Sequence, residues 1–104
     1  MVKDSEVRPS WVGQVVQITQ GRDKDKYAIV VKQLDDKFVW LADGDKRKFD
    51  RPKKKNILHL KFIDFVSQDV RKSLLDTGRV TNSKLRYAMN KFAEEMLEIQ
   101  SKGE

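Results

Sequence analysis

The sequence predicts a mostly β fold with an α extension: a small barrel of five short strands, followed by two helices that pack on it. Three observations predict this. Short β-branched and aromatic runs recur between residues 11 and 60, with turn-forming residues between them. Beyond Leu60 the apolar spacing changes from two to three and four, the period of one helix face. A barrel of about fifty residues is marginal alone, so the helices are expected to dock on it and not to form a separate domain.

Residues 1–10 are polar, end in Arg8-Pro9, and read as a flexible arm. The barrel is expected over 11–60 and the helical extension over 61–104. Residues 13–19 (GQVVQIT) form the first strand and 26–34 (KYAIVVKQL) the second, with Ile29, Val30 and Val31 in a row. Asp35-Asp36 is turn chemistry. Residues 37–42 (KFVWLA) form the third strand, with Val39 and Leu41 on one side and Phe38 and Trp40 on the other. Asp43-Gly44 signals a tight hairpin, because glycine tolerates the positive φ such turns demand. Residues 46–50 are then expected to pair back as a fourth strand. Pro52 lacks a backbone donor and marks a strand end or sheet edge. Residues 57–60 read as the fifth strand. A helix is expected over 67–76, with Ser67 as N-cap and Thr77-Gly78 as its stop. A second begins near Ser83, with Leu85, Ala88, Met89, Phe92, Met96 and Ile99 on one face.

Composition limits the function. The 104 residues include no cysteine and one histidine, His59. This excludes disulfides, thiolate metal sites, cysteine nucleophiles and most histidine-built metal centres. His59, between Leu58 and Leu60, reads as structural or phosphate-facing. No apolar run is long enough to span a membrane, and the first ten residues lack the apolar core of a signal peptide. The expected location is the cytoplasm.

The net charge of +6 is less informative than its placement. Residues 46–55 (KRKFDRPKKK) hold seven basic side chains and one acidic, so this decapeptide carries the whole excess. Clustered cations are the footprint of a polyanion-binding surface. The bland alternative is a lysine-rich edge that blocks sheet-to-sheet aggregation.

A second cluster is GQVVQITQGRDKDKYAIVV, residues 13–31. Gly21 permits a tight turn between two strands, and Arg22, Lys24 and Lys26 project from the loop. This unit resembles the KOW motif, a strand, basic loop and strand found in ribosomal proteins and transcription elongation factors. Gly21 and Lys24 match the pattern, and Asp25 stands where it has a second glycine. With Ala42-Asp43-Gly44, the 46–48 run, Arg51-Pro52-Lys53-Lys54-Lys55 and Leu58-His59-Leu60, the resemblance covers about residues 10–60. It points to small bacterial KOW-domain RNA-binding proteins, related to large-subunit ribosomal proteins of archaeal and eukaryotic type. Residues 80–86 (VTNSKLR) are similar to C-terminal helices of such proteins. The resemblance implies an SH3-like barrel and RNA binding.

The expected function is therefore RNA binding without catalysis, on or near the ribosome, with ribosomal RNA as the expected ligand. Arg22, Lys24, Lys26, Lys46, Arg47, Lys48, Arg51, Lys53, Lys54 and Lys55 are the expected RNA contacts, and Gly21 and Gly44 the structural turns. Tyr27, Phe38 and Trp40 either stack on bases or pack the helices. No catalytic residue, cofactor, metal, membrane or small-molecule substrate is expected, and a monomer is. Ribosomal proteins are secondary partners. The alternative function is a protein-interaction adaptor of the transcription or translation machinery, using the barrel and the apolar helix face.

Overall fold

The computed structural model describes residues 10–102, with side chains to residue 98. The expected arm before Ser10 and the side chain of Ile99 lie outside the described residues. Five antiparallel strands are followed by two helices: β1 (Gln14–Ile18), β2 (Tyr27–Gln33), β3 (Phe38–Ala42), β4 (Lys53–Asn56), β5 (Leu60–Val66), α1 (Gln68–Thr77) and α2 (Asn82–Lys102). The sheet order is β4-β3-β2-β1-β5. A 3-10 turn, Ile57–His59, joins the two edge strands. The Ile57 N–H donates to the Lys37 carbonyl at 2.8 Å, and the His59 carbonyl accepts from the Thr19 N–H at 2.9 Å. The turn is thus pinned to the far end of β3 on one side and to the end of β1 on the other. This curls the sheet into the SH3-like barrel.

The core explains why the central strands are apolar throughout. Successive strand residues point to opposite faces, yet Val15 and Val16 are both 0% exposed, as are Ile29 and Val30. Both faces of this part of the sheet are covered. Val70 and Leu74 of α1 and Leu85, Ala88 and Phe92 of α2 belong to the same buried cluster. The Phe92 ring lies 5.0 Å from that of Tyr27 and 5.5 Å from that of Phe65. The helical stripe thus docks on β2 and β5. Ser67 caps α1 through its Oγ, which accepts the Val70 N–H at 3.2 Å, and Gly78 ends it in the left-handed conformation. Thr81 Oγ1 accepts the Lys84 N–H at 3.1 Å and opens α2.

Two strand expectations need correction. Residues 46–50 form no strand, and β4 is Lys53–Asn56. Asp43-Gly44 does not make a two-residue hairpin, because the Asp43 carboxylate gathers the N–H groups of Asp45 and Arg47 at 2.8 and 2.9 Å. The chain closes a local loop there, and α2 holds it. Gly44 (φ 82°) sits so close to α2 that an added Cβ would lie 2.8 Å from Leu85 Cβ. The Asn82 side chain accepts the Phe49 N–H at 2.8 Å. The second correction concerns residues 57–60, of which 57–59 form the 3-10 turn, and β5 runs on to Val66. Barrel pairing therefore continues past residue 60, since Gln14 of β1 pairs with Val66.

Candidate nucleic-acid interface

The loop between β1 and β2 is built by local backbone bonds. The Lys24 N–H reaches the Gly21 carbonyl at 3.1 Å, and the Lys26 N–H reaches that of Asp23 at 3.0 Å. Asp25 has φ 76°. It takes the left-handed conformation in the place where the resembled pattern has glycine. Aspartate is among the few residues that tolerate this region, so the substitution keeps the turn. Arg22, Lys24 and Lys26 are left exposed on its outside.

Strand β4 brings further cations to this loop from about thirty positions away in sequence. Its alternation splits three lysines between two faces. Lys53 Nζ sits 3.0 Å from Asp23 Oδ2, and Lys55 Nζ donates to the Gln20 carbonyl at 3.2 Å. Lys54 lies on the opposite side, its Nζ 4.7 Å from the centre of the Phe38 ring. Lys26 Nζ also lies 3.6 Å from Asp23. The Lys53 hydrogen bond, reinforced by the charges of Lys53 and Lys26, holds the Asp23 carboxyl below the ordinary carboxylate value.

The loop from Asp43 to Pro52 supplies the remaining cations. Lys46, Arg47, Lys48 and Arg51 are exposed. Lys48 Nζ donates to the Asp45 carbonyl at 3.0 Å, which stiffens the loop from within. Arg86 of α2 donates to the Gly44 carbonyl at 2.8 Å and so anchors the loop. Lys26, Lys46, Arg47 and Lys53 converge with Asp23 and Asp43 around one small cavity of about 90 Å³. The first basic loop and the basic decapeptide, two clusters distant in sequence, thus form one concave surface with cations at its rim. This arrangement suits phosphate groups, which position a bound polyanion without reading its bases.

The aromatic candidates divide. Tyr27 packs on Phe92, whereas Phe38 and Trp40 remain on the outer side of β3, half-buried. Sequence reasoning missed Asp23, whose signal was an acidic residue between Arg22 and Lys24 in a basic turn. It also missed the Gln20 carbonyl, which carries no signal at all. Among the described residues no group of three or more His, Asp or Glu side chains is arranged to hold a metal ion. No helix among them is long and apolar enough to cross a membrane.

Comparison with known proteins bears on this surface. Residues 12–41, which span β1, the basic loop, β2 and most of β3, match the family model described as "KOW motif". Over 71 residues the sequence is 45% identical to a protein of Bacillus subtilis (strain 168) named "Putative ribosome-binding protein YbzG"; the match covers 68% of this chain and 96% of that protein.

Proposed function

The chain belongs to this bacterial family of KOW-domain proteins, and from that premise we propose that it is a non-enzymatic, cytoplasmic RNA-binding protein that acts on or near the ribosome, with ribosomal RNA as its ligand. The observation that carries the reading is the meeting of Lys53 and Lys55 with the 20–26 loop. Two basic segments distant in sequence share one surface, and a solvated lysine-rich edge would not require that. The name of the Bacillus relative agrees with this reading. Catalysis is set aside on inventory: the chain has no cysteine and one histidine, and the two carboxylates that line the cavity, Asp23 and Asp43, are engaged by lysines and by backbone N–H groups respectively.

Binding would rest on phosphate and shape contacts, as for most structured RNA. With about five phosphates neutralised, log affinity falls with log salt at a slope of roughly −3.5 to −4.5. The test is titration of a ribosomal RNA fragment with the wild type and with a Lys53→Glu, Lys54→Glu, Lys55→Glu variant, beside co-sedimentation with ribosomal subunits. The variant is expected to bind more weakly and with a flatter slope. Unchanged binding would sink the proposal. The adaptor alternative is weakened, because Leu85, Ala88 and Phe92 of the apolar helix face are buried against the barrel. Recovery with subunits that survives nuclease treatment and high salt would restore it.

A further inference from the structure

The outer face of the sheet carries a second feature that the phosphate surface does not use. In β2 the register to β3 slips by one residue between Val30 and Lys32. Val30 pairs with Leu41, and after the bulge Lys32, not Val31, stands opposite Trp40. On the other side Trp40 stands opposite Lys54 of β4. The cross-strand row is therefore Lys32, Trp40, Lys54. In the next row Phe38 lies under the Lys54 ammonium. Beside it, the Leu34 N–H donates to the Phe38 carbonyl at 3.0 Å. Trp40 also floors an open groove of about 400 Å³ whose walls include Phe49, Pro52 and Leu75. Leu75 is 61% exposed there. Lys32 contributes the positive charge of this lining, and no carboxylate contributes to it.

A half-buried indole and phenyl ring with lysines on both flanks match one ligand chemistry: a flat apolar base joined to phosphates. We infer that the outer face of β2, β3 and β4 is a stacking platform for unpaired RNA bases, with Trp40 and Phe38 as the ring surfaces and Lys32 and Lys54 as their phosphate partners. This deepens the RNA-binding reading and rests on it. Because Lys53 and Lys55 lie on the other side of β4, a strand held by both surfaces wraps around that exposed edge. Structured RNA backbone meets one face, and an adjoining single-stranded segment meets the other. Stacking of this kind tolerates any base, since each has a π-face.

Tryptophan emission reads the platform directly. Trp11, whose ring packs 5.2 Å from Phe62, is replaced in a Trp11→Phe variant so that Trp40 is the sole reporter. The probes are an oligoadenylate of about eight nucleotides, its abasic counterpart of equal length, and a ribosomal RNA fragment. Saturable quenching by oligoadenylate, with none from the abasic strand, is expected. Trp40→Ala, read by fluorescence anisotropy of a labelled strand, should lower oligoadenylate affinity by about five- to 150-fold with the salt slope unchanged. If circular dichroism shows that Trp40→Ala fails to fold, a Phe38→Ala, Lys54→Glu variant takes its place, with the same loss expected. Equal quenching by the abasic strand overturns stacking. Binding of the ribosomal fragment without any oligoadenylate quenching overturns the platform and leaves the phosphate surface standing. Failure of the wild type to bind either RNA overturns both. Trp40-dependent recovery of nuclease-treated ribosomal proteins overturns the platform in favour of a protein-binding face.

Discussion

On the proposed function, Asp23 would compete with RNA for the cations around it, and Asp23→Asn isolates that competition. The carboxylate lies 3.0 Å from Lys53 Nζ and 3.6 Å from Lys26 Nζ. Asparagine keeps the size and the hydrogen-bonding oxygen but removes the charge. The stability cost is small, about 0.5–1 kcal/mol, because exposed pairs are screened by solvent. The gain in binding is larger. One additional phosphate neutralised by a freed Lys53 steepens the salt slope by about 0.7–0.9. Referred to 1 M salt, that slope gives a gain in affinity of about five- to eightfold at about 0.1 M, shrinking to about 2.5-fold at about 0.3 M. Fluorescence anisotropy of a labelled ribosomal RNA fragment over this salt range measures both quantities. Weaker binding with an unchanged slope would refute the reasoning. It would mean that Asp23 shapes the loop that RNA meets and does not occupy a phosphate's place.

Three further outcomes are expected. The Asp23 carboxyl should titrate with a midpoint below 3.8 by NMR; a depressed folded-state value means its stabilising contribution is complete at neutral pH and is lost as pH falls through that midpoint. At the left-handed Asp25, substitution to Val should lower stability by about 1–2 kcal/mol in urea denaturation, while substitution to Gly should not lower it. Gly44→Ala should cost about 2–4 kcal/mol, because positive-φ strain adds to a clash with α2, and its thermal midpoint reports this. A Gly44→Ala protein as stable as wild type would show that the loop does not rest on the helix.

Where the fold was legible, each residue's local preference agreed with its final surroundings. The Val-Val and Ile-Val-Val runs of β1 and β2, the alternation of β3 and the Ser67 cap all follow from side-chain shape and hydrogen-bonding capacity. The fourth strand was misplaced because Lys53-Lys54-Lys55-Asn56 has no strand propensity of its own. It pairs with β3 because Phe38 offers Lys54 a ring surface, and because loop oxygens at Asp23 and Gln20 receive Lys53 and Lys55. Such partners arise only in the folded chain. The fifth strand is legible beyond residue 60, because LKFIDFV carries Phe62, Ile63, Phe65 and Val66, the aromatic and β-branched texture of a strand. For the candidate site, charge placement identified the cations, but the split of β4 between two faces depends on a register that one residue either way would invert.

The contact between Gly44 and the first turn of α2 also joins two equilibria. The loop that presents Lys46, Arg47 and Lys48 keeps its shape through Arg86 and Asn82, so the loop is presented only while the helix stays seated. Anything that binds the seated form alone draws population away from forms in which the helix has lifted. Amide hydrogens of Leu85 to Phe92, on the helix that holds the loop, should then exchange with solvent more slowly once RNA is bound. The retardation would report affinity through the helix that supports the loop.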